Sequence, residues 1–295
     1  MAITGTGVPT NRTNIQLPAD ISAEILAKTQ KSSAVMQLAR QITLPGRGVE
    51  IPVITGDPEA AWVGETESKP VSNPGLDKKI MTAYKLAVIV PFSNEFRRDA
   101  ANLYNELVRR LPNALGAKFD ATVFGAVAAP GSNFDTFANC TAQNIGGTAT
   151  YAGLVAADTD VAVHGGILNG FAISPQAKGV LLAATDGQQR PLFINSVAEG
   201  AIPMILGSKT LVTKGAYKAG SGSTPNLVGV GGDWTQAVYG TVEGVQISIS
   251  DQATLTSGNT TINLFQQNMF AVRAEIEIGF RADTTVFNKL TTPAA

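Results

Sequence analysis

Imidazole and thiol chemistry have one candidate each in this chain, His164 and Cys140. A lone histidine excludes paired-histidine zinc sites of the HExxH kind, and a lone cysteine excludes an intrachain disulfide or a multi-thiol metal site. His164 follows Val163 at the end of a helical pattern, where a surface or C-cap role is favoured over that of a general base. Cys140 falls in a loop and reads as an inert thiol. No serine stands in a GxSxG elbow. The glycines of VGVGGDW (228–234) look superficially like a dinucleotide fingerprint, but they follow no βαβ unit and open no helix. Asp57, Glu59, Glu65 and Glu67 lack EF-hand spacing and read as a solvated or partner-facing set of carboxylates. The sequence therefore offers no catalytic residue, no cofactor-binding residue and no metal ligand, and an enzyme is the reading it supports least.

Stepping from these residues to the elements around them, the stretch from Ile80 to Ala126 organises the chain. Leu86 to Val90 is an unbroken apolar run that reads as a strand covered on both faces. It feeds through SNEFRRDA into a helical pattern with Leu103, Leu107, Leu111, Leu115, Phe119 and Val123 spaced by four. Such a stripe drifts roughly 40° per step around a 3.6-residue helix, so it suits a helix that crosses several partners. Pro112 lies inside the pattern and costs roughly 3 kcal/mol unless the helix kinks. A kinked core helix and a helix shared between neighbouring modules both fit.

Before this stretch, residues 1–19 are Thr/Asn/Gly-rich without periodicity and read as a tail. A short helix over AEILAKTQ follows, and a second is expected from Ser32–Ser33 onward with Val35, Met36 and Leu38 apolar. Residues 56–79 hold three prolines between two strand patterns, VEIPVI and IMTAYKLAVIV, which makes them the tip of a long protruding hairpin. Trp62 on such a tip is better placed against another subunit than against water. After the long helix, 125–147 is expected to be a hairpin-like connector. A helix over YAGLVAADTDVAVHGG, a strand over GFAISPQ, a helix opened by Pro175 and several short glycine-bounded strands come next. Val272, Ala274, Ile276 and Ile278 alternate with Arg273, Glu275 and Glu277, the pattern of a half-solvated strand. The class is α+β with a discontinuous layout.

Composition narrows the function. Charged residues make up 15% of the chain, against about a quarter in ordinary soluble domains. Obligate association hides surface in this way, because interface cores are depleted in charge; a secreted Thr/Ser/Asn-rich β protein shows the same deficit. The net charge is −1 and no Lys/Arg run exceeds two residues, which argues against sequence-specific nucleic-acid binding through a basic face. Met1 to Pro9 lacks the pattern of a signal peptide, and no apolar run approaches the ~20 residues that span a bilayer. Synthesis in the cytoplasm is the expectation.

With these readings in place, the sequence resembles tailed-phage major capsid proteins of the HK97-like fold over nearly its whole length. The resemblance is carried by ISAEILAKTQKSSAVMQLARQITLPG, IPVITGDPEAAWVGETESKPVS, KLAVIVPFSNEFRRDAANLYNELVRRLPNALGAKFDATVFG, GFAISPQAKGVLLAATDGQQRPLF, GDWTQAVYGTVEGVQISISD and NMFAVRAEIEIGFRADTTVFNKL, in that order. It implies an N-arm (1–32), a peripheral domain (33–55, and 85–147 with a spine helix over Asn102 to Ala126), and an extended loop or E-loop (56–84) lying on a neighbour. It further implies an axial domain (148–250), a return strand to the peripheral domain (251–280), and an axial end with the C-terminus (281–295). Inter-subunit contacts are expected at Trp62, Glu65, Glu67, Lys69, Lys78, Lys79, Arg97, Arg98 and Arg190.

The implied function is a non-enzymatic subunit, without cofactors, that assembles through pentamers and hexamers into an icosahedral shell around double-stranded DNA. Portal, scaffolding and decoration proteins are the other implied partners, no membrane is involved, and the virion is the destination. Many relatives carry a long helical scaffolding segment before the N-arm, whereas here the arm begins almost at once. Either the chain is a mature product, or scaffolding is separate or absent, and Met1 favours the latter pair. No Asn or Glu aligns with Lys69, Lys78 or Lys79 to form the isopeptide cross-link of some relatives, so none is expected. An encapsulin-like compartment is the alternative on the same fold, and a β-rich surface adhesion module the alternative from another class.

Overall fold

A computed structural model describes residues 33–45, 49–56, 75–95, 101–186, 188, 190–193, 204–257 and 260–294. The expected N-arm and its AEILAKTQ helix lie outside them. The first described helix, α1 (Ala34–Leu38), is capped by Ser33, whose Oγ accepts from the Met36 amide at 3.1 Å. The long helix α2 (Ala101–Val123) runs on through Pro112. On its apolar stripe Leu111, Leu115, Phe119 and Val123 are buried. Gly125, at φ +79°, stops it: the Ala126 and Gly125 amides donate back to Ala121 and Thr122, closing the helix with a left-handed residue. Ala138 packs so closely there that a Cβ at 125 would lie 2.7 Å from its Cα.

Strands gather into two main sheets. The first contains β1 (Arg40–Thr43), β4 (Tyr84–Ser93), β10 (Ala237–Thr241), β11 (Gln246–Ser250) and β14 (Met269–Ala282). Here β14 is the hub. It pairs antiparallel with β4 from Met269 to Ile278, and with β11 and then β10, while β1 lies parallel to β10. The second sheet has the order β5 (Thr141–Asn144), β15 (Phe287–Thr292), β9 (Asn226–Gly232), β6 (Gly170–Ile173), β8 (Ser208–Val212), β7 (Met204–Ile205). Helix α3 (Thr150–Val163) packs over its β5–β15 end, and α4 (Pro175–Ala183) touches β6 and β9. Ser174 caps α4 by accepting from Ala177 N, with Pro175 in the first turn. Two separate hairpins complete the fold, β2 (Val49–Gly56) with β3 (Gly75–Met81), and β12 (Thr254–Ser257) with β13 (Thr260–Asn263).

A shared apolar core joins the helix α2 to both sheets. At its centre Phe137 stacks on Phe287 at 4.4 Å, with the Trp234 ring edge-on to Phe287 at 5.2 Å. The glycine-rich strand β9 runs beneath these rings: a Cβ at Gly231 would meet the Phe171 ring and one at Gly232 the Phe287 ring. VGVGGDW therefore uses glycine to let aromatic rings lie on a central strand. The alternation in β14 is as expected, with Val272, Ala274, Ile276 and Ile278 buried and Arg273 exposed. No described helix is long and apolar enough to cross a membrane.

Three expectations are corrected. Strand β4 is covered on one face only: Leu86, Val88 and Val90 pack on the core, while Lys85, Ala87 and Ile89 (48% exposed) face outward. An apolar run cannot by itself separate a doubly covered strand from one whose second cover is absent from the isolated subunit. The 125–147 connector forms no hairpin; β5 instead pairs parallel with β15, a partner that arrives only at the end of the chain. Finally, the tip expected over 56–79 includes strand: β3 takes Gly75–Met81, and the run IMTAYKLAVIV divides between β3, paired with β2, and β4, paired with β14. The chain leaves the second sheet after Gly232, at the turn over Trp234–Gln236, and re-enters it with β15.

Candidate inter-subunit surfaces

Among the described residues the hairpin β2–β3 pairs only with itself, and it is braced at its root. An isolated two-stranded hairpin is marginal in water, so the brace matters. Its centre is Arg281 on β14, whose side chain is 12% exposed. Its Nε donates to the Ile80 carbonyl at 2.8 Å, one terminal nitrogen to Asp135 Oδ1 at 2.7 Å, and the other to Asn133 Oδ1 at 3.1 Å. Asp135 Oδ2 accepts from the Ala282 amide at 3.1 Å. Lys79 Nζ donates to the Ala282 carbonyl at 3.0 Å and lies 3.8 Å from Asp135 Oδ2. Asn133 also donates to Thr82 Oγ1. One guanidinium thus ties the end of β3, the 133–135 loop and β14 together through charge-assisted bonds.

A second carboxylate holds the chain at Ser33–Val35, where the described residues begin. Asp120, on α2, is fully buried. It accepts from Ser33 Oγ at 2.5 Å, from the Ala34 and Val35 amides at 2.9 and 3.3 Å, and from Thr213 Oγ1 at 2.9 Å. Burial pushes its carboxyl above the ordinary aspartate range, against the pull of those four donors. Gly215 lets the turn over Lys214–Ala216 approach the helix, since a Cβ there would sit 2.6 Å from the Asp120 Cβ.

Of the expected contact residues, Trp62, Glu65, Glu67, Lys69, Arg97 and Arg98 lie outside the described residues. Lys78 lies on the hairpin strand β3. Lys79 reaches the brace within its own chain, with its side chain 38% exposed. Arg190 pairs with Asp186 at 2.8 Å inside one turn and stays 77% exposed. His164 ends α3 with Nδ1 2.8 Å from the Asp160 carbonyl. Cys140 is buried, its Sγ donates to the Thr284 carbonyl at 3.3 Å, and burial pushes the thiol up to about 12. Among the described residues no cluster of His, Cys, Asp and Glu could hold a metal ion.

Asp120, Asp135 and Arg281 were missed as positioning residues. For Arg281 a signal existed: it is the charge between Phe280 and Ala282, at the end of an otherwise alternating strand. Asp120 stands beside Phe119 in the helical stripe, where a carboxylate has to be held by donors. Asp135 sits in an irregular loop with nothing local to mark it.

A discontinuous α+β body with a braced hairpin and an anchored Ser33–Val35 segment has the parts of an HK97-like shell subunit, and the comparisons agree. The sequence model of the phage capsid family matches residues 14–284. A probable major capsid protein, gp17 of Mycobacterium phage L5, is 30% identical over 93% of this chain and 89% of its own length. The major capsid protein of Staphylococcus phage 80alpha is 24% identical over 92% of this chain and 83% of that protein. Among solved structures, a chain from Gordonia phage Cozz superposes with a TM-score of 0.73 at 21% identity, covering 89% of this chain and 87% of that one. A chain from Microbacterium phage Oxtober96 gives 0.72 at 19% identity, over 99% and 96%.

The chain belongs to the phage capsid family. It has the HK97-like fold and serves as a major capsid protein, a subunit of a bacteriophage capsid shell. The encapsulin-like and adhesion-module readings give way, since the matching family and the curated relatives are phage capsid proteins.

Proposed function

We propose that copies of this chain form rings of five and six through the second sheet and its helices. The rings interlock through the N-terminal residues and the β2–β3 hairpin into an icosahedral shell around double-stranded DNA. The observation that carries this is the hairpin: a self-paired, two-stranded limb fastened at its root by Arg281 is built to project, and its length becomes useful only on another copy. The outward face of β4, with Ile89 exposed, is a second surface that such a limb can cover. A body that sets the angle and limbs that tolerate small changes of geometry let one chain occupy both five- and six-membered rings. DNA is contained rather than read, in keeping with the net charge of −1. The subunit does no chemistry, is made in the host cytoplasm, and works with a portal and with separate scaffolding or decoration proteins.

The test is assembly of the purified chain, followed by sedimentation velocity and negative-stain electron microscopy. Closed particles with five- and six-membered rings are expected. A chain that stays monomeric at micromolar concentration, with and without the phage's other head proteins, overturns the reading.

A further inference from the structure

The second sheet has unlike ends. At one end, beside β5, helix α3 turns an apolar strip outward. Tyr151 is 57%, Val155 37% and Val163 76% exposed, and a shallow groove runs between this strip and Gln143 of β5. Residues 119–177 contain no lysine or arginine at all, so the charges the strip carries are Asp158 and Asp160. One oxygen of Asp160, Oδ2, is buried without a hydrogen-bond partner among the described residues.

At the opposite end lie β7 and β8, five strand spacings away, or ~24 Å. Met204 is 59%, Leu206 41% and Val212 50% exposed there. Here the charge is reversed. From Met204 to Lys214 the charged residues are Lys209 and Lys214, with no carboxylate. Lys209 stands directly across from Met204 in the β7–β8 register, and both it and Lys214 are exposed, with no ion-pair partner among the described residues.

We propose that these two ends are the halves of one head-to-tail contact: the apolar, acidic face of α3 in one copy receives the apolar, basic β7–β8 edge of the next. Two properties argue for a second copy of this chain as the occupant. The patches are complementary in charge and alike in apolar character, and they lie at opposite ends of one rigid sheet. A self-complementary patch makes an isologous dimer and stops, whereas unlike patches at opposite ends repeat the same step and close a ring. The apolar strips supply the area, and the charges set direction and reject the reversed pairing of acid on acid or base on base. The proposal rests on the shell reading above and adds which surfaces meet within a ring.

The test uses the full chain with charge-reversed ends. One variant carries Asp158→Lys with Asp160→Lys, a second Lys209→Glu with Lys214→Glu, and a third all four changes. Far-UV circular dichroism and melting temperature must match those of the unaltered chain; if the first pair perturbs α3, Asp158→Lys alone replaces it. At ~50 mM salt, where surface charge is weakly screened, each one-sided variant is expected to give about a tenth of the normal yield of rings and shells. The fourfold variant assembles normally, because its pairing is merely exchanged. A mixture of the two one-sided variants recovers six-membered rings, since each offers the end that the other lacks, while an alternating ring of five cannot close. One-sided variants that assemble like the unaltered chain, or a fourfold variant and mixture that fail to recover, overturn the contact and leave the shell reading standing. Failure of the unaltered chain to assemble sinks both.

Discussion

Replacing Arg281 by alanine removes the guanidinium that bonds the hairpin strand and the 133–135 loop to β14. Three donated hydrogen bonds disappear, to Ile80, Asp135 and Asn133. Bonds from a charged donor contribute roughly 1.5–3 kcal/mol each in isolation, but three on one guanidinium do not add. Both side chains retain some exposure, 12% for Arg281 and 20% for Asp135, so the 3–5 kcal/mol typical of breaking a fully buried pair is an upper bound. Lys79 remains near Asp135 and partly compensates the stranded carboxylate. A loss of about 3 kcal/mol follows, a large share of the 5–15 kcal/mol that holds a domain together. The loss is local first: the amides of β3 should lose hydrogen-exchange protection before β9 and β15 do. Arg281→Lys keeps the charge but not the fork, and recovers less than half. Urea unfolding of unassembled subunits with exchange mapped by mass spectrometry reads both effects. Destabilisation below ~0.5 kcal/mol, or deprotection spread evenly over both sheets, would refute the brace.

Other consequences are as direct. Asp120→Ala strands the Ser33, Ala34, Val35 and Thr213 donors and is expected to cost about 3 kcal/mol, with Asp120→Asn costing about half because an amide keeps one acceptor and Ser33 Oγ can accept. Because burial raises the Asp120 carboxyl, the native chain holds that proton more tightly than the unfolded one. Its contribution is full below the ordinary aspartate range and declines as pH rises to the raised native value, so the lead of the unaltered chain over Asp120→Asn should widen as pH falls through that window; a lead that narrows reverses the assignment. Cys140, with its thiol pushed to about 12, should resist iodoacetamide at ~pH 8 until the chain unfolds, and equal alkylation rates in buffer and in urea count against it. Trp62→Ala should weaken contacts between rings while leaving subunit melting unchanged; equal shell yield and shell stability by electron microscopy would remove Trp62 from the contact.

Legibility in the sequence tracked how local each determinant is. The α2 stripe from Leu111 onward, the Ser33 cap and the β14 alternation were readable, because each is settled by neighbours within a turn or two of chain. What escaped depends on partners far away. Strand β5 finds β15 from 147 residues downstream at Asn288, and its reading as half of a local hairpin had no means of seeing that. The brace joins positions 80, 133, 135 and 281, and no spacing rule links a loop aspartate to an arginine in another strand. β4 fails for a different reason. Its run LAVIV carries more apolar surface than one subunit covers, so the sequence is matched to an environment larger than the fold. The same holds for Tyr151, Val163 and Met204, exposed in a chain whose charged fraction is only 15%. In a shell subunit, the mismatch between what the residues call for and what the monomer buries is itself the mark of the assembly.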